Sequence, residues 1–308
     1  MVSSEFIIGV LATGVTLATP VLFAAMAELF SERSGVLNLG TEGMMLMGSF
    51  FAFWASYSTK NSWAGVFAAA AIGALMGGIY AIICISLKFN QTISGVALWF
   101  VGWGLSSFFY RTIFGVREFP PIIEGFRDVP IPILSSIPYI GPILFNHNPL
   151  VYMAILLIPV AWLILTKTKW GLDMKAVGEN PRAADTLGIN VFLVRYRSVI
   201  IAGILAGIGG SFFSLAWSKT FLDNATAGRG WIGVAMVCFG RWNPILTAVG
   251  AFMFGFADSL QAGIQSLQLG IPYQMALIIP YLLTIIILTV TSRKAVPPRA
   301  LGVPYERS

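Results

Sequence analysis

Three groups of polar residues fall inside or beside long apolar runs of this 308-residue chain. Asn38 and Glu42 are spaced i, i+4 in GVLNLGTEG (Gly35–Gly43). Asn90 and Gln91 stand at the mouth of an apolar run. Asp258, Gln261 and Gln265, at i, i+3 and i+7, share one face of a helix. Such side chains can line a path for a polar, neutral solute. They can equally serve structure: Asp258 and the glutamines as hydrogen-bond links between helices, Asn38 and Glu42 as partners for backbone groups freed around Gly35, Gly40 and Gly43. An ionised carboxylate at mid-bilayer costs at least about 2.5–3.5 kcal/mol, so in either role Asp258 must face the bundle interior or water. It lies fourteen residues past Pro244. At about 1.5 Å per residue that is roughly 21 Å along a helix, in the half of the membrane away from Pro244.

Catalytic chemistry is poorly supplied. The single histidine, His147, stands in a Pro-rich loop and reads as a solvated or loop-packing residue. Cys84 and Cys238 sit in apolar runs with no Cys or His nearby, so both read as packing residues, not as disulfide or metal ligands. No HExxH, GxSxG or GxxxxGK[ST] pattern occurs. The chain therefore carries no evident means of hydrolysing ATP, and any pumping would draw on a partner or an ion gradient.

The elements that must position these residues are membrane helices. The chain is 57% hydrophobic and 10% charged, with a mean hydropathy of +0.81, where a soluble domain carries about 25% charged residues. Runs of spanning length occupy Phe6–Phe30, Trp63–Leu87, Thr92–Phe114, Leu150–Thr166, Ser198–Trp217, Ile245–Ala262 and Tyr273–Val290. Gly35–Tyr57 and Gly230–Gly240 are irregular; the latter is too short for a straight crossing and reads as a broken or re-entrant helix. The expected fold is all-α: one polytopic membrane bundle over residues 1–308, with about nine passes (eight to ten). Ala25-Met26-Ala27 resembles a cleavage site, but the uncharged start and the length of Phe6–Met26 favour an uncleaved first helix. Gly73/Gly77 and Gly203/Gly207 are GxxxG pairs, with looser Gly48/Ala52 and Ala251/Gly255 pairs, all suited to close helix contact.

Two loops stand out. Loop 115–148 is Pro-rich. Loop 167–197 carries six basic residues (Lys167, Lys169, Lys175, Arg182, Arg195, Arg197) against Asp173, Glu179 and Asp185. With loop 167–197 inside, the inner segments hold thirteen Lys or Arg, namely Arg33, Lys88, those six, Arg241, Arg293, Lys294, Arg299 and Arg307. The outer segments hold six: Lys60, Arg111, Arg117, Arg127, Lys219 and Arg229. This bias predicts the N-terminus outside, the C-terminus cytoplasmic and loop 115–148 external. The formal charge of +6 then reflects membrane topology rather than nucleic-acid binding. Within the inner loop, Asn180 can cap a short helix, Pro181 suits its first turn and Gly188 can end it.

The segment SERSGVLNLGTEGMMLMGSFFAF (Ser31–Phe53) resembles a signature of permease subunits of bacterial ABC importers, the group that includes branched-chain amino-acid, ribose-type sugar and nucleoside permeases. ERSGVLNLGTEGMM is most similar to the nucleoside/simple-sugar branch. GLDMKAVGENPRAADTLGINV (Gly171–Val191), followed by SVIIAGILAGIGG (Ser198–Gly210), resembles the family's coupling segment, which docks on the ATPase. The resemblance implies a bacterial plasma-membrane protein, with ATP bound by a separate ATPase subunit and no cofactor of its own. Its other implied partners are a second homologous permease (or a copy of itself) and an extracellular substrate-binding lipoprotein. It assigns coupling to Gly178, Glu179, Asn180, Pro181, Arg182, Ala183, Ala184, Asp185 and Gly188. It also implies inverted halves, with Gly228–Gly255 echoing Gly35–Phe53. An ion-gradient-driven transporter or a channel remains the alternative.

Overall fold

The computed structural model describes residues 4–116, 120–266, 273–292 and 295–306. Arg117, Arg293, Lys294 and Arg307, which enter the charge count, lie outside the described residues. Helix α1 (Ser4–Arg33) leads through an unwound linker, residues 34–40, into α2 (Thr41–Thr59). Helix α3 (Ser62–Ala81) is prolonged by a π-helical turn, Ile82–Ser86, and α4 spans Gln91–Phe114. The Pro-rich loop is ordered by a two-residue antiparallel pair, β1 (Val129–Pro130) with β2 (Asn146–His147), around a short α5 (Ile140–Leu144). Next come α6 (Pro149–Lys167), α7 (Lys169–Glu179), α8 (Pro181–Thr186) and α9 (Val191–Phe212), the last prolonged by Phe213–Trp217. Helices α10 (Arg229–Phe239), α11 (Pro244–Ser266) and α12 (Tyr273–Ser292) complete the chain.

The fold is an all-α polytopic bundle of nine apolar helices among the described residues: α1–α4, α6 and α9–α12. Six of them, α1, α3, α4, α6, α9 and α11, are long and apolar enough to cross a membrane. At eleven residues, α10 is about 16 Å long and crosses only half of one. Segment 167–197, expected to be a loop with one short helix, holds two, α7 and α8, and from Val191 onward it is already α9, which starts before the expected Ser198.

The glycine pairs decide the packing. Gly73 and Gly77 of α3 face Gly203 and Gly207 of α9; a Cβ on Gly203 would stand 3.0 Å from the Gly77 Cα, and one on Gly207 3.2 Å from the Gly73 Cα. Gly255 of α11 likewise lies against Ala18 of α1. Where lipid removes the hydrophobic drive between helices, such backbone contact supplies the attraction. His147 is buried, its Nε2 2.7 Å from the Ile143 carbonyl and its Nδ1 3.2 Å from the Thr16 hydroxyl, as a loop-packing residue.

Candidate functional site

The site is built where helices are broken. Helix α2 starts inside the bundle, not at its edge, because the Thr41 hydroxyl donates to Glu28, five residues before the end of α1. The linker that climbs there is held by side chains of other elements and by its own Asn38. Gln91 Oε1 accepts from the Leu37 N–H at 2.8 Å, the Tyr80 hydroxyl lies 2.6 Å from the Leu37 carbonyl, and Asn38 Oδ1 accepts from Gly40 N–H at 3.1 Å. Asn90 caps α4, accepting from Ile93 N–H at 3.0 Å.

One residue into α2, the Glu42 carboxylate reaches the start of α10. It accepts from Gly228 N–H at 2.8 Å, Gly230 N–H at 2.6 Å and the Thr226 hydroxyl at 2.5 Å. Half-helix α10 therefore begins in mid-bundle with its first N–H groups capped by a carboxylate, the charge that a helix N-terminus favours. Beside it Arg229 Nη2 pairs with Asp258 Oδ2 at 2.7 Å, both side chains largely buried. Gln261 is buried on the same helix, and the Gln265 amide nitrogen, one turn on, is buried without a hydrogen-bond partner. From there α10 descends to the turn at Trp242, whose carbonyl accepts from Arg33 Nε at 2.9 Å and whose indole N–H donates to Glu32 at 2.6 Å.

At that end of the bundle lies the α7–α8 hairpin. Asn180 Oδ1 caps α8 through Ala183 N–H at 3.1 Å, with Pro181 in the first turn. Gly188, at φ +82°, ends the helix: its N–H bonds the Asp185 carbonyl at 2.9 Å and Ile189 N–H bonds the Ala184 carbonyl at 3.0 Å. That pair of bonds is the Schellman closure, which needs the left-handed conformation glycine adopts freely. Glu179, Arg182, Ala183 and Gly188 are exposed, whereas Ala184 and Gly178 are buried against the bundle. Burial and the neighbouring Arg33 hold the Lys175 ammonium below its ordinary pKa. The segment after α12 straps this hairpin down. Ala300 N–H bonds the Gly178 carbonyl at 2.9 Å, Gly302 N–H bonds the Gly35 carbonyl at 3.2 Å, and Lys88 pairs with Glu306 at 2.8 Å.

A family profile described as branched-chain amino acid transport system / permease component matches residues 10–288. The chain belongs to this family. It is 43% identical to a putative glucose ABC transporter permease protein of Haloferax volcanii, over 87% of this chain and 81% of that one. It is 39% identical to a guanosine ABC transporter permease protein of Bacillus subtilis (94% and 93% covered). It is 35% identical to a nucleoside ABC transporter permease protein of Lactococcus lactis (94% of each). No solved structure matches. The chain is thus a multi-pass permease subunit of an ABC importer.

In this permease Glu42 and Asp258 meet the start of α10, Gln261 is buried one turn beyond Asp258 on α11, and Asn38, Asn90 and Gln91 hold or flank the linker. Four further charged side chains take part in these contacts without standing out in the sequence. Arg229 was counted only as a topological charge, though a cation that ends a loop descending toward a half-helix is a signal. Glu28 and Glu32, i, i+4 on α1, are acidic residues at the end of a span. Arg195 counts in the sequence only as one of the basic residues of loop 167–197, yet it is buried, donating to Ser34 O at 3.2 Å and Val303 O at 3.0 Å.

Proposed function

We propose that this permease imports a neutral, hydroxyl-bearing solute, a nucleoside first and a simple sugar second, by ATP-driven alternating access. One observation carries the reading. A half-helix N-terminus in mid-membrane attracts an anionic ligand, but here Glu42 already occupies it. Beside that N-terminus the Arg229 guanidinium is paired with Asp258. The guanidinium at this centre is already paired and the helix start is already capped by a carboxylate, so no cation is spared for an anionic solute; the solute that suits the centre is uncharged and binds by hydrogen bonds and stacking. The names of the nucleoside and glucose relatives agree with this choice.

In this proposal residues 1–308 act as one permease domain. A separate ATPase binds ATP and pushes on the exposed face of α8, Asn180 to Gly188. A second homologous permease, or a copy of this one, completes the path, and a substrate-binding lipoprotein delivers solute outside. The N-terminus is external and the C-terminus cytoplasmic. Gathering Arg33, Lys88, α7–α8 and the Arg241–Asn243 turn at one end of the bundle supports that orientation. The test is uptake of labelled inosine and glucose into liposomes holding the permease pair and its ATPase, with the lipoprotein added outside. Saturable uptake of either that requires internal ATP is expected. Uptake that persists without the ATPase and collapses with an uncoupler would overturn the reading.

A further inference from the structure

At the end of the bundle opposite α7–α8, the last turns of α4 carry a stripe at steps of four: Trp99, Trp103, Ser107 and Arg111. All of them serve one carboxylate or lead to it. Asp223, in the loop that descends to α10, accepts from the Trp103 indole N–H at 3.1 Å and the Ser107 hydroxyl at 2.5 Å, both on Oδ1. Arg111 stands 3.7 Å from Oδ2. This second oxygen keeps most of its accepting capacity, and the side chain remains 48% exposed. Beside it is a cavity of about 320 Å³. Tyr110 and Phe221, ring centroids 5.0 Å apart, form its aromatic wall, and Asp223, Ser107 and Arg111 its polar one. Its volume lies at the lower end of the range for small-molecule sites, roughly 300–1,000 Å³.

Inward from this cavity the aromatic surface continues. Trp103 stacks on Trp99 at 6.1 Å, and Trp99 meets Trp231 of α10 edge-on at 5.7 Å. The Trp99 indole N–H is buried without a hydrogen-bond partner. An unsatisfied donor of this kind is costly, and one between the stacked Trp103 and the edge-on Trp231 is placed to be satisfied by a passing solute. The ladder ends at Trp231, two residues past Arg229, in the first turn of α10.

We propose that this cavity is a receiving subsite for a ribonucleoside. Oδ2 of Asp223, which no hydrogen-bond donor approaches closer than Arg111 at 3.7 Å among the described residues, accepts from the vicinal ribose hydroxyls, as carboxylates do in dinucleotide sites. The base lies on Tyr110, backed by the buried Phe221 ring, and an aromatic surface stacks any base because every base has a π-face. A phosphorylated ligand is disfavoured by the same carboxylate. A hexose satisfies Asp223 but brings only a C–H face, not a π-face, to the aromatic wall. The proposal rests on the nucleoside reading above and adds to it the residues that recognise the ring hydroxyls.

Binding is read on the purified permease–ATPase complex in lipid nanodiscs without the lipoprotein, by saturable quenching of tryptophan fluorescence, and ATP-driven uptake is measured in parallel on the same complex in liposomes with the lipoprotein outside. Inosine should saturate, and 2′,3′-dideoxyinosine should need at least tenfold more. Asp223→Asn should raise the inosine requirement tenfold and abolish the preference over the dideoxy analogue, and Asp223→Glu should recover part of it. Tyr110→Leu should weaken both nucleosides alike. Intact discrimination in Asp223→Asn, with inosine still transported, would overturn the subsite and leave the nucleoside reading standing. ATP-driven uptake of glucose but not inosine by the unaltered complex would overturn the nucleoside reading itself.

Discussion

The Glu42 carboxylate accepts a hydrogen bond from Gly230 N–H at 2.6 Å, joining the first turn of α2 to the first turn of α10 across 188 residues of chain. The contact leaves no room: a Cβ on Gly230 would stand 2.7 Å from the Glu42 Cα and 2.8 Å from its nitrogen. Both are backbone atoms, so α10 itself would have to move. Gly230→Ala should therefore destabilise the solubilised protein by about 1–3 kcal/mol, the usual cost of overpacking, and abolish uptake. Glu42→Gln keeps the shape but loses the anion at the helix start, worth roughly 0.3–2 kcal/mol. Thermal unfolding in detergent checks both, and a Gly230→Ala protein of unaltered stability would contradict the close approach.

Asp258 and Arg229 offer a cleaner separation of structure from transport. Removing one partner leaves the other charge buried, at a cost approaching the roughly 3–5 kcal/mol of a broken buried pair. Asp258→Asn should lower stability on that scale. Asp258→Asn with Arg229→Gln removes both charges and should regain most of it, because a buried pair is near neutral against an uncharged replacement. Uptake by the stable double variant then reports on solute contact alone. Wild-type uptake would make the pair a structural clasp.

Much of this centre was legible because a polar residue in a greasy run is conspicuous. Glu42 and Asp258 stood out on composition, and the glycine pairs of α3 and α9 on spacing. Their partners did not, since Glu42 bonds backbone N–H groups, which leave no mark on a sequence, and Arg229 sits 29 residues from Asp258. Helix α8 was readable from Asn180, Pro181 and Gly188, whose chemistry is local. Helix α7 was overlooked although its buried residues, Gly171, Met174, Val177 and Gly178, keep helical spacing; lysines and glycines among them masked it. The strap after α12 was unreadable, because its order comes from carbonyls and an arginine more than one hundred residues away.

Gly188 tests the hairpin as a lever. A Cβ there meets nothing, so its φ of +82° is the sole constraint. Gly188→Val forces a β-branched residue into the left-handed region, at roughly 1–2 kcal/mol, and opens the Schellman closure of α8 without touching the bundle. The complex should assemble and hydrolyse ATP while moving severalfold less solute per ATP. Glu179→Lys, on the exposed face, should uncouple in the same way. An unchanged solute-to-ATP ratio in both would remove α8 from the coupling path.

Arg195 and Glu306 both tie the strap, with unequal consequence. Lys88 holds the exposed Glu306 carboxyl below its ordinary pKa through their hydrogen bond and charge. A depressed carboxylate pKa means that this tie is present above the ordinary carboxylate range and is lost as pH falls through the lowered value; salt screens it as well. Glu306→Gln should therefore free only the end of the strap. Arg195 is buried and donates to carbonyls of both the linker and the strap. Charged hydrogen bonds of this kind contribute roughly 1.5–3 kcal/mol. Arg195→Gln should loosen the strap as far as Ala300, sever it from Ser34 and lower the solute moved per ATP. A spin label at Val303 distinguishes the two: it should become mobile in Arg195→Gln at neutral pH, and in Glu306→Gln hardly more than in the parent. Equal mobility in the two variants would mean that the strap is held by its backbone bonds to Gly178 and Gly35 alone.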